Sequence, residues 1–290
     1  MAITGRPATD IQTFEDIIRG GLIYVDKTAF LAKMLDTGIK TWFLARPRRF
    51  GKSLTVTTFK AIFSGKKELF KDMAIEKRLG EEKFASRPVI HLDMSKVESG
   101  EGPDNFKKSL SQRIHEIALN LEIDLPLDLS PSDTLSSLIF RIFWRDRLQA
   151  AVLIDEYDAP ITNLIDKPSE AEKVRALLHG FFKQLKANDK YLSFVFVTGI
   201  TKYLQGGPYS GFNNHTDISL NPKYATLTGF THEEIKSYYG RQIKEVAETL
   251  KVTEKKLLDE MKNYYNGFCF DGKTLVYNPF STAQFFKAKT

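Results

Sequence analysis

The residues best suited to chemistry lie in Ala45-Arg46-Pro47-Arg48-Arg49-Phe50-Gly51-Lys52-Ser53, after the apolar run Thr41-Trp42-Phe43-Leu44 and before a helix-like stretch over residues 54–63. A strand, a tight loop ending in Gly-Lys-Ser and a helix make a phosphate cradle. Backbone N–H groups and the helix N-terminus face the β-phosphate, the lysine neutralises β/γ oxygens, and the serine hydroxyl ligates Mg²⁺. Arg46, Pro47, Arg48, Arg49, Phe50, Gly51, Lys52, Ser53 and Leu54 are the candidate nucleotide-binding residues. The pattern G-x-x-x-x-G-K-[ST] is broken at one position, because Arg46 stands where the first glycine belongs. Taken alone, the motif also reads as Gly-Lys-Ser on a basic surface loop.

A second signal is Ala150-Ala151-Val152-Leu153-Ile154, an apolar run of strand length that ends in Asp155-Glu156. Two acids at the tip of a buried strand are costly unless they meet a cation or water. In ATP hydrolysis the first, Asp155, would hold Mg²⁺ together with Ser53, and the second, Glu156, would polarise the attacking water. The competing reading is a solvated turn. Thr198 ends another apolar run, Leu192-Ser193-Phe194-Val195-Phe196-Val197, where a polar group would sense the γ-phosphate or the water. It reads equally as a strand-end hydroxyl bonding the backbone. Arg49 and Arg48 could supply charge to the transition state, or one of them could pair with an acid such as Asp158.

These residues need a scaffold that gathers strand ends. Apolar runs at 41–44, 88–94, 150–154 and 192–197 alternate with helical patterns at 105–121, 131–149 and 169–187, which predicts an α/β fold of three layers with a parallel central sheet. Ligands of such sheets sit at the carboxyl ends of the strands. Residues 46–53, Asp155-Glu156 and Thr198 should therefore converge. A charged helical region is expected over 66–82 and a fifth strand at 224–228. Three capping boxes are expected, at Thr13, Ser169 and Thr231, the last opening a helix to about 250. One more helix over 253–265 and a hairpin turning at Asp271-Gly272 follow. The long Gly/Asn-rich loop 205–222 reads as functional or mobile.

The 290 residues, 42% hydrophobic and 27% charged, describe an ordinary globular chain. The net charge of +6 suits anionic partners, but the basic residues are dispersed, so nucleic acid is allowed and not required. One cysteine, Cys269 between Phe268 and Phe270, excludes an internal disulfide, fits a reducing cytoplasm and reads as a buried thiol. No signal-peptide pattern and no membrane-spanning run is present, and the five histidines show no ligand spacing for zinc.

Five blocks in order, Tyr24-Val25-Asp26-Lys27-Thr28, Arg46 to Ser53, Leu153-Ile154-Asp155-Glu156-Tyr157-Asp158-Ala159-Pro160, Tyr264-Tyr265-Asn266-Gly267-Phe268 and Tyr277-Asn278-Pro279-Phe280-Ser281, resemble the AAA-ATPase-like family, which is widespread in bacteria. The resemblance implies that Arg46 is the family's own variation of the phosphate loop. It also implies an additional-strand P-loop NTPase sheet, with the acidic strand between the phosphate-loop strand and its neighbour. A core over 1–230 and a small helical lid over 231–290 are implied as well. Tyr209-Ser210-Gly211-Phe212-Asn213-Asn214 looks like a further family block with two substitutions. Members often continue into a nuclease-like domain, whereas here the chain stops nine residues after Ser281. The expected protein is an ATP- and Mg²⁺-dependent hydrolase, slow or partner-stimulated, switching a protein partner or an attached effector. A nucleotide-locked interaction module and an ATPase subunit of a nucleic-acid-processing system are the alternatives.

Overall fold

The computed structural model describes residues 5–9, 11, 13–80, 84–202 and 215–289. Helices α1 (Phe14–Arg19) and α2 (Thr28–Asp36) precede strand β1 (Thr41–Ala45), and α3 (Lys52–Phe63) leaves the loop after it. Strand β2 (Val89–Asp93) leads to α4 (Pro103–Asn120) and α5 (Pro131–Asp146). Strand β3 (Ala150–Asp155) leads to the short α6 (Ala159–Thr162) and the long α7 (Pro168–Ala187). Strands β4 (Leu192–Gly199) and β5 (Thr216–Asp217) complete the main sheet. The C-terminal unit comprises α8 (His232–Tyr238), α9 (Gly240–Leu250), α10 (Glu254–Tyr265), the strands β6 (Asn266–Cys269) and β7 (Leu275–Tyr277), and α11 (Pro279–Lys289).

The main sheet is parallel throughout, in the order β2-β3-β4-β1-β5. Successive side chains of a strand point to opposite faces, and both faces are covered. Trp42, Leu44, Ala151, Leu153, Phe194 and Phe196 meet α1, α2 and α3, while Phe43, Val152, Ile154, Val195 and Val197 meet α4, α5 and α7. This is the expected three-layer α/β architecture. The inserted strand differs from the expected one. It is β4, not the acidic β3, that lies between the phosphate-loop strand and its neighbour: Leu44 pairs with Thr198, and Ile154 with Val197. Strand β4 is apolar on both faces, and a central position buries both.

Other expectations are corrected by local chemistry. Residues 224–228 form no strand, because Asn221 caps a turn at Pro222–Tyr224 by accepting from Lys223 N (3.0 Å). The fifth strand is Thr216–Asp217. The region from 66 holds a short 3-10 turn, Lys67–Phe70, rather than an α-helix. Beyond it, Asp26 and Thr28 side chains take the N–H groups of Ala74 and Ile75. No capping box forms at Thr13, where Phe14 N donates to Thr57 Oγ1 and Glu15 turns to Arg19 and Lys66. Nor does one form at Ser169, because Pro168 begins α7 one residue earlier. The box at Thr231 and Glu234 is present, and its helix breaks at Tyr239, whose ring stacks on Phe286 at 4.8 Å.

The helix over 254–265 and the hairpin are as expected, with Asp271 accepting from Lys273 N and Thr274 N. Cys269 is exposed rather than buried. The C-terminal unit's core includes Ile23 and Val25 from the N-terminal segment. Residues 205–214 of the Gly/Asn-rich loop, with the block at Tyr209, lie outside the described residues.

Candidate nucleotide site

Strand β1 ends at Ala45, and the loop to α3 turns through two left-handed residues, Arg49 (φ 64°) and Gly51 (φ 83°). Gly51 adopts this conformation freely because it has no Cβ. It leaves the first N–H groups of α3 with no side-chain cap among the described residues, which is the condition for anion binding at a helix N-terminus. Lys52 is buried, and its Nζ donates to Pro47 O at 3.0 Å, across the mouth of the same loop. Burial lowers its pKa, while Asp155, Glu156 and Asp158 oppose that shift. Ser53 is half-buried in the first turn of α3. Leu54, also half-buried, packs against the core beneath.

The acidic strand tip stands across β4 from this loop, about two strand spacings, or ~10 Å, away. Asp155 is buried, and its Oδ1 accepts from Thr198 Oγ1 and from Glu156 N. Thr198 thus bonds the acid rather than its own backbone. Glu156 is half-buried with φ 49°. Its pKa is raised by burial first and by the charge of Asp155 second, with Lys52 opposing. The geometry is fixed from behind. Tyr157 N donates to Thr198 O, and Asp158 accepts from Ile200 N, Thr201 N and Thr201 Oγ1. Gly199 makes this possible, since a Cβ there would lie 2.5 Å from the Tyr157 ring and 2.8 Å from Asp158 Oδ1. Asp158 therefore holds backbone, and among the described residues it makes no ion pair with Arg48 or Arg49, the alternative reading of those arginines.

The three arginines of the loop separate. Arg46 is 2% exposed, and its guanidinium donates to Thr228 Oγ1 and to the carbonyls of Ala45, Ser219 and Tyr224. It lies over the Phe270 ring at 3.9 Å, and burial brings its pKa down to about 10. Arg49 stacks over Phe280 at 4.1 Å, on the C-terminal unit. Arg48 is exposed, and its charge reaches both Lys52 and Glu156. Phe50 is fully buried between the rings of Phe268 (4.6 Å) and Phe270 (5.5 Å). The family blocks at 264–268 and 277–281 thus belong to a clasp on the phosphate loop. The block at 24–28 ties the same unit to the sheet: Lys27 Nζ meets both oxygens of Glu234 at 2.6 Å, and Tyr238 OH accepts from Asp26 N.

One site acid escaped the sequence reading. Asp93 ends β2 in register with Asp155 and helps raise the Glu156 pKa. Its signal, an acid closing an apolar strand, is the same as that of Asp155. Ser219 and Thr228, which position Ala45 and Arg46, gave no sequence signal.

This fold and loop geometry define a P-loop NTPase-like protein. The chain belongs to the AAA-ATPase-like family, whose model, described as a predicted AAA-ATPase, matches residues 8–207. It is 29% identical over 283 residues to an uncharacterized protein in the vnfD 5'region of Azotobacter chroococcum mcd 1, across 96% of this chain and 51% of that protein. The chain thus spans about half the length of this relative. No helix among the described residues is long and apolar enough to cross a membrane.

Proposed function

We propose that the chain is an ATP-binding module that hydrolyses ATP slowly and uses the cycle to move its C-terminal unit against the sheet. The observation that carries this reading is the Lys52 ammonium, buried at the mouth of an uncapped helix N-terminus and within electrostatic reach of Asp155 and Glu156. The lysine Nζ donates to Pro47 O. Transfer from that carbonyl to β/γ oxygens gives it a charged partner in place of a neutral one.

Among the described residues no group of three or more His, Cys, Asp or Glu could hold a metal by itself. A magnesium ion here would take phosphates and water into its shell. Ser53 and Asp155 are the residues that would hold it, with Asp155 Oδ2 left over from the bonds at Oδ1. When bound, the ion would neutralise charge on the phosphates. Thr198 fixes the rotation of the Asp155 carboxylate. Glu156, desolvated and beside a second acid, has a raised proton affinity suited to accepting a proton from water. Arg48, exposed at the loop, would meet charge developing on the leaving phosphate.

Arg49 and Phe50 are the coupling residues. Both touch the C-terminal unit, so a phosphate-induced shift of the loop would be felt at Phe268 and Phe280. The unit switched by this motion is a protein partner or a further domain. Phosphate release from ATP, with and without magnesium, by the wild type and by Glu156→Gln tests the reading. Release dependent on both supports it, and release unaffected by the substitution removes Glu156 from the role.

A further inference from the structure

A cavity of about 540 Å³ opens beside the edge strand β2, at the opposite end of α3 from the phosphate loop. Three basic side chains line it: Lys60, Arg87 and His91. Lys60, in the last turn of α3, is exposed and makes no ion pair among the described residues. Arg87 lies over the Phe63 ring at 5.4 Å, and its Nε is buried with no hydrogen-bond partner. The one described acid on the wall, Asp146, is held by Arg145 at both oxygens, 2.6 and 2.9 Å. Val89, Leu121 and Leu148 supply apolar wall.

We propose that this cavity binds a small phosphorylated molecule with an apolar or aromatic body. Its volume lies in the range of small-ligand sites, and its lining joins an apolar surface to a few converging polar groups. The Arg87 side chain lines the cavity together with Lys60, so an anion there would meet two cationic groups. Arginine offers a planar fork and lysine a point charge, the pair of donors that phosphate uses. His91 is kept neutral by burial first and by Lys60 second, so a dianion entering beside it would draw a proton onto the ring. Phosphate is favoured over an acidic peptide because it concentrates about two charges at one centre, matching cations gathered round one cavity. Eight residues of helix, about 12 Å, separate Lys60 from Lys52, so the site is independent of the phosphate loop.

Calorimetry with 1-naphthyl phosphate on the full chain tests this, with circular dichroism to confirm folding of each variant. The expected result is saturable binding that weakens about tenfold or more in Lys60→Glu and in Arg87→Gln, and is kept in Lys52→Ala. 1-Naphthol should bind about tenfold more weakly than its phosphate, and the His91 ring should titrate at higher pH with the probe bound. Lys60→Glu changes an exposed side chain, so it keeps the test open if Arg87→Gln fails to fold. Absence of saturation, equal affinity in Lys60→Glu, or loss of binding in Lys52→Ala would each overturn the proposal. Binding of polyglutamate without binding of the probe would also overturn it, in favour of an acidic protein partner.

Discussion

The guanidinium of Arg46 lies over the ring of Phe270, 3.9 Å from its centre, joining the phosphate loop to the C-terminal hairpin. Arg46 occupies the place where the phosphate-loop pattern has glycine, so Arg46→Gly would restore the pattern. It is nonetheless expected to destabilise the protein by about 3–5 kcal/mol, because it empties a buried volume and leaves the Ser219 and Tyr224 carbonyls without their donor. Denaturant unfolding measures this. Phe270→Leu, which removes only the stacked ring, should cost about 1 kcal/mol.

Glu156 gives a pH dependence of defined sign. Its folded pKa is raised above 4.5, so the folded state holds a proton that the unfolded chain has already released. Stability from this group is present below 4.5 and is lost as pH rises through the folded value. Glu156→Gln should therefore raise the thermal midpoint at neutral pH and give no gain below pH 4.5. It should also lower turnover by about a hundredfold or more while ATP still binds. The acid limb of the wild-type rate should lie above that of an ordinary glutamate, as a pH–rate profile would record.

Lys27 and Glu234 tie the N-terminal segment to α8 through a largely buried ion pair. Lys27→Met leaves the Glu234 carboxylate without its cation and is expected to cost about 3 kcal/mol. The double variant Lys27→Met/Glu234→Gln should recover part of that loss. A double-mutant cycle in urea separates the pair from its surroundings.

Gly199→Ala places a methyl 2.5 Å from the Tyr157 ring and 2.8 Å from an oxygen of Asp158. Both neighbours are buried, so the strand tip must shift, at a cost of about 2 kcal/mol or more. Turnover should fall further than stability alone explains, because Thr198 and Asp155 move with the tip.

The parts of this molecule legible in the sequence are those where local chemistry and global packing agree. The apolar runs of β1, β3 and β4 had to be buried on both faces, and their polar ends marked Asp155 and Thr198 in advance. The insertion of β4 between β1 and β3 was not legible, since strand order depends on which helices cover which face. The role of Arg46 was hidden for a similar reason: apart from the distant Thr228 hydroxyl, its acceptors are carbonyls at 45, 219 and 224, and backbone groups leave no trace in residue types. Residues 66–82 read as helical from their charge pattern, and Asp26 and Thr28, distant in sequence, take the N–H groups of Ala74 and Ile75 instead.

ATP binding by Lys52→Ala, measured by calorimetry in magnesium beside the wild type, tests the central claim most directly. Loss of the buried ammonium should weaken binding about a hundredfold or more, the scale of about 3 kcal/mol for a charge-assisted contact with phosphate. Equal affinity in the two proteins would contradict the assignment of residues 46–54 as the nucleotide cradle.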